Sequence, residues 1–303
     1  MSVLRRVDTW MFAPAPAERL AVLRILTGLV VVGYLIVRYP AFLSLTDASP
    51  SRFEPVGVLS WLDRPFPDPL YAVLMVANVG CGVAFVTGWW FRWTGPIFAL
   101  LLLVVTTYRS SWGQLLYFEN LMVIHVAIIG LGRSADALVP GRRKRSAQPP
   151  ISSRYGWPVR LAAVVTVLTY VLAGIAKLRV GGPEWMTGDT LRNHVAYSAA
   201  RIGLLGGSYS PLARPLAENG WVLAPAAVAT VLIELVAPVA LLGGRIRTAW
   251  VAATWLLHLG IAATMFVVFP YPLLGVAFAP LFRAERVLDR RRGEPGLRTP
   301  GTR

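Results

Sequence analysis

The chain has 303 residues, of which 55% are hydrophobic and 15% charged, with a mean hydropathy of +0.57. Soluble domains carry about a quarter charged residues, so this balance excludes an ordinary water-soluble enzyme, and runs of about 20 apolar residues call for membrane helices. The net charge of +15 fits the basic cytoplasmic loops of a multi-pass protein rather than a nucleic-acid surface, and the single cysteine, Cys81, permits no internal disulfide.

Eight apolar segments are predicted to cross or enter the bilayer, over 17–38, 67–89, 93–109, 112–132, 158–177, 221–243, 248–269 and 271–284. They make an all-α polytopic bundle, one domain over 1–303 with a membrane core at about 15–285 and a basic tail at 286–303. The first segment is too long for a signal-peptide core and is expected to stay in the mature chain. It carries Arg24, placed either to snorkel inward or to reach Glu234. The loop 39–66 brings Trp61 and Phe66, suited to an interfacial belt.

The fourth segment, "WGQLLYFENLMVIHVAIIGLG", is the most polar. On a uniform helix Gln114, Tyr117, Asn120 and His125 share an arc and Glu119 points elsewhere. Such residues serve either hydrogen bonding between helices or the lining of a cavity. After a basic, flexible stretch within 133–157, the next segment ends in "TYVLAGIAKLRVGGPEW". Tyr170, Ala173, Gly174 and Lys177 fall on one helical face, which reads as helix packing or as room for a flat ligand. The lysine itself is either a snorkelling anchor or a base. In the loop 178–220, Asp189 is expected to cap a short helix with Leu191, Val195 and Ile202 on one side, and Ser210 to cap a second with Pro211 first.

Glu234 and His258 sit at nearly the same depth on consecutive antiparallel segments, so a mutual hydrogen bond or a shared buried polar partner is expected, as structural glue or proton relay. The last segment holds Pro272 and Pro280 and is expected to be kinked or re-entrant. With the N-terminus inside, the inner segments hold 18 basic residues and the outer ones 8, so both termini are predicted to be cytoplasmic and 178–220 external. No phosphate-binding glycine loop, His-rich zinc spacing or G-x-S-x-G is present, and no metal site is expected.

Taken together, "LAVLRILTGLVVV", "YFEN", "YVLAGIAKLRVGGPEWMTGDTL", "IELVAPVALL" and "LLHLGIAATMFVVFPYPLLGVAFAPLF" resemble the horizontally transferred transmembrane domain (HTTM) family. This is the membrane portion of vitamin K-dependent gamma-carboxylases and their bacterial relatives, and the resemblance runs over roughly 15–285. The most specific pieces are A-G-x-x-K-L followed by a tryptophan, and His258 followed by Phe-Pro-Tyr and Pro-Leu-Phe. In the carboxylases the lysine of that motif is held to be the base that deprotonates the hydroquinone, which then reacts with oxygen and takes a proton from a glutamate side chain. The resemblance therefore implies Lys177 as base at the external face, a menaquinone- or vitamin K-like quinol as cofactor, and Tyr117, Asn120, Tyr170, Gly174 and Trp185 around its pocket. Arg24, His125, Glu234 and His258 complete an intramembrane polar network.

The sequence also departs from that pattern. Leu121 stands where the carboxylases have a histidine, Glu184 and a Gly-Gly-Pro insertion precede Trp185, and no sizeable soluble domain follows residue 285. Carboxylation of a protein is therefore not expected. The expected partners are the lipid bilayer of a bacterial inner membrane, a quinone, and an unidentified peptide or protein. The rival reading is a non-catalytic membrane partner or transport accessory in which the same residues pack helices.

Overall fold

The computed structural model describes residues 3–113, 117–141 and 151–288. Its contacts divide the chain into two compact units, one of residues up to Ala162 together with those from Phe282 onward, the other of Ala163–Leu281. The first unit contains α1 (Val3–Met11), β1 (Ala15–Pro16), α2 (Ala17–Leu43), α3 (Asp68–Thr87), α4 (Phe91–Ser110), α5 (Asn120–Leu131) and β2 (Ile151–Ser152). Helix α6 (Ser153–Gly181) begins there and continues into the second unit, which adds α7 (Glu184–Thr187), α8 (Asp189–Leu204), α9 (Ala213–Glu218), α10 (Leu223–Leu235), α11 (Gly244–Met265) and α12 (Pro270–Leu273).

Among the described residues, five helices are long and apolar enough to cross a bilayer: α2, α3, α4, α6 and α11. At 1.5 Å per residue the shortest of them reaches about 30 Å, the thickness of the hydrocarbon layer. The chain is accordingly an all-α, multi-pass membrane protein. Three of the eight expected segments take another form. Among the described residues of 112–132, a 3-10 turn at Tyr117–Glu119 leads into α5, which is 12 residues long. The segment 221–243 is α10 followed by a 3-10 helix at Ala237–Leu242, because Pro238 offers no N–H to continue the α ladder. The segment 271–284 is α12 and a second 3-10 helix at Val276–Leu281, separated by Gly275 at φ 74°.

The first unit is held by backbones that come close and by an aromatic layer between α3 and α4. Gly95 of α4 and Gly130 of α5 face each other so closely that a Cβ on either would lie 2.6–2.7 Å from the other's carbonyl oxygen. Without a hydrophobic drive between helices in lipid, such small-residue contact is what brings them together. Tyr71 packs on Tyr108 at 4.4 Å and Phe85 on Phe98 at 5.2 Å between ring centroids. Helix α3 ends at Gly88, whose φ of 78° forms the left-handed cap that stops the helix.

In the second unit Val195, Ala213 and Leu223 form a buried cluster with Leu191, Ala199, Leu216 and Met265 packed against it, so α8, α9, α10 and α11 share one small core. Asp189 is the first residue of α8 rather than its cap, and pairs with Thr187 and Arg192 instead. Ser210 precedes α9 by three residues. Its Oγ accepts the N–H of Leu212 at 3.1 Å and donates to the Ala263 carbonyl at 2.6 Å, tying the loop to α11. Ile202 does not join the cluster.

Candidate functional site

Helix α6 carries Tyr170, Gly174 and Lys177 at i, i+4 and i+7, hence on one face. Lys177 Nζ donates to both oxygens of Glu234, at 2.6 and 2.7 Å. The lysine side chain keeps 20% of its surface exposed and the glutamate 7%. Glu234 stands at the C-terminal end of α10, where the helix dipole is negative and a bare carboxylate is disfavoured. The ammonium therefore supplies what both the apolar surroundings and the helix end lack.

Trp185 of α7 places its ring centroid 5.4 Å from the lysine nitrogen, within cation–π range. Gly181 makes that approach possible, since a Cβ there would fall on the indole. Two turns before Lys177, the Tyr170 hydroxyl and His258 Nε2 lie 2.7 Å apart. Tyr170 also meets Trp250 edge to face at 5.3 Å and stacks on Phe278. The Trp250 indole donates to the Ile233 carbonyl at 2.9 Å, at the point where α10 gives way to 3-10 geometry. His258 Nδ1 is buried and has no partner among the described residues. Either the tyrosine donates to Nε2 and Nδ1 carries the proton, or Nε2–H donates and Nδ1 accepts.

These geometries bear on four expectations. Glu234 and His258 each take a partner from α6, Lys177 and Tyr170, in place of the mutual hydrogen bond. Gly174 offers no slot for a flat ligand. A Cβ there would meet Leu235 and the Glu234 Cβ at 3.0–3.1 Å, so its bareness serves the packing of α10. Arg24 is fully buried and neither snorkels nor meets a carboxylate. Its guanidinium donates to the carbonyls of Ser134 at 3.2 Å and Leu138 at 2.7 Å. Of the arc Gln114–Tyr117–Asn120–His125, Gln114 and the Tyr117 side chain lie outside the described residues, and the other two are set apart: Asn120 is exposed, and His125 is buried against the Ala162 carbonyl at 3.0 Å. A 3-10 turn at Tyr117–Glu119 precedes α5, and residues there advance by about 120° rather than 100°, which breaks the extrapolated wheel.

That turn also aims Glu119 inward, into a constellation that the spacing along a uniform helix does not show. Glu119 is 1% exposed and accepts hydrogen bonds from the Tyr34 hydroxyl and from Arg109, whose Nη1 also donates to the Tyr34 oxygen at 2.8 Å. Phe42 and Phe118 flank the guanidinium. The available signal was an arginine at the end of one apolar segment and an acid ten residues on, at the start of the next. Opposite charges at one depth are expected to pair.

A family model, HTTM domain, matches residues 12–286 and so runs through both units. No curated protein and no solved structure matches the chain. The match covers most of the sequence and contains every paired buried charge described above: the chain belongs to the HTTM-domain family.

Proposed function

We propose that this protein is a quinol-using membrane enzyme related to the gamma-carboxylases, working at the external face of a bacterial inner membrane, with Lys177 and Glu234 as its proton acceptor. The observation that supports this reading is the pair itself: an amine and a carboxylate within hydrogen-bond reach over both oxygens, the lysine side chain partly exposed and its nitrogen beside an indole ring. Moving one proton from Nζ to the carboxylate frees the amine lone pair without leaving an unpaired charge in an apolar setting. The amine then accepts a proton from a hydroxyl presented next to Trp185, and Glu234 retains the first. A membrane quinol, when bound, would supply that phenolic hydroxyl and the electrons for reaction with oxygen. Lys177 and Glu234 would hold its hydroxyl, and Trp185 would lie beside its ring. Tyr170 and His258 lie deeper and hold the lysine-bearing face in register.

A second reading, a non-catalytic membrane partner or transport accessory, draws support from Gly174, whose contact with α10 is pure packing. Quinone content and turnover separate the two. Under the first reading, protein purified from its own membranes retains a quinone and, in proteoliposomes under oxygen, consumes reduced menaquinone. Absence of both sinks it. Arginine at 177 can keep the bidentate contact with Glu234 yet cannot release its proton. K177R consumption equal to the parent's removes Lys177 from the chemistry.

A further inference from the structure

We infer that α1 is a surface anchor that lies in the headgroup layer of the bilayer and takes anionic phospholipid as its partner. On a 100° wheel Leu4, Val7, Trp10 and Met11 occupy an arc of about 120°, and Arg5, Arg6, Asp8 and Thr9 fill the rest. Among the described residues nothing covers this apolar face: Leu4 is 82% and Val7 54% exposed. A helix of nine residues is too short to hold itself together in water, so its fold calls for a covering surface.

The place of α1 in the first unit selects that surface. Five residues separate it from α2, a bilayer-length helix, and the connection is pinned to the start of α6. Ala15 and Pro16 pair with Ser152 and Ile151, Arg160 donates to the Ala13 carbonyl, and the same guanidinium lies over the Trp10 ring. From there, contacts lead to the turn between α3 and α4. Tyr155 binds Asp136, Arg24 binds Ser134 and Leu138, and Gly88 abuts Arg24 and Val139. That turn exposes Trp89, Trp90 and Trp93, an aromatic group of the kind that settles at headgroup level. Arg92 and Arg154 are exposed at the same end, so with Arg5 and Arg6 the surface there is basic. A basic, tryptophan-rich end next to helix termini matches an anionic lipid surface rather than a soluble partner.

The test uses the full chain with Cys81 replaced by alanine and one new cysteine, at position 7 or at position 5, carrying an environment-sensitive fluorophore. Reconstitution is into phosphatidylcholine vesicles with or without phosphatidylglycerol, with shallow acyl-chain quenchers. The label at 7 should be blue-shifted and quenched by lipid, and the label at 5 should report water. With the label at 7, R5Q/R6Q should lower the docked-to-undocked ratio by roughly 30-fold in the anionic vesicles, each arginine contributing a comparable share. Equal quenching at both positions overturns the proposal. So does a label at 7 that is shielded from water but unquenched by lipid and responds to protein density, because the occupant is then a second copy. Loss of phosphatidylglycerol dependence in the parent overturns the anionic part.

Discussion

Each unit of this protein buries a carboxylate against a cation, and the two pairs are built for different ends. In the first, Glu119 meets Arg109, with side chains 1% and 11% exposed, a tyrosine hydroxyl on the same oxygen and phenyl rings on either side. Arginine does not deprotonate in proteins, so this cluster can fix geometry but cannot pass a proton through its cation. In the second, Glu234 meets Lys177, whose side chain is less enclosed and whose ammonium, unlike a guanidinium, can release a proton. Choice of cation and degree of enclosure thus separate a clasp from the proton-transfer couple proposed for Lys177 and Glu234.

The sharpest way to break that distinction is K177R, expected to lower quinol consumption by about 10²- to 10⁴-fold, the usual contribution of a positioned base. Its melting in detergent should stay close to the parent's, since the ion pair survives. Next in size, Glu119→Ala strips a buried guanidinium of its carboxylate and is expected to cost about 3–5 kcal/mol. Glu234→Ala should cost less, about 1–3 kcal/mol, because the lysine head can turn toward solvent. Denaturation in the same detergent compares them, and E234A as damaging as E119A would erase the difference in enclosure. Replacing both partners, as in K177M/E234L, should be milder than either single change, with a coupling of about 1–3 kcal/mol. Simple additivity would mean the ion pair does not hold the helices. The smallest effect is Tyr170→Phe, which removes the hydrogen bond to His258 and should cost about 1 kcal/mol. A silent substitution would place the tyrosine's value in its ring contacts.

The helices of bilayer length were readable from the sequence. The segments 67–89 and 93–109 correspond closely to α3 and α4, because an uninterrupted apolar run and a cap such as Gly88 leave few alternatives. Reading failed where proline and 3-10 geometry interrupt the 100° step. A uniform helix through Tyr117–Glu119 turns Glu119 away from the arc of its neighbours, and the prolines of 271–284, which announce a kinked or re-entrant segment, do not say where it divides into α12 and a 3-10 helix. The clustered residues of α6, α7, α10 and α11 were legible one by one, and their pairing was not. Tyr170, Lys177, Trp185, Glu234 and His258 all carried a signal, as polar or aromatic groups in or beside apolar helices. Depth alone, however, cannot say that Glu234 faces α6 rather than α11. That choice is made by Gly174, which lets α10 approach.

Arg24 has a consequence for how the protein is made. Its carbonyl acceptors, Ser134 and Leu138, lie 110 and 114 residues further along the chain. At translation rates of about 5–20 residues per second, they emerge roughly 5–20 s after the arginine. Until then a guanidinium in the first bilayer-length helix has only water, headgroups or the insertion machinery to satisfy it, and deep partitioning is unfavourable. Helix α2 therefore reaches its final seat late, when the segment after α5 has been synthesised and can close over it. The order in which the helices leave the ribosome is not the order in which they settle.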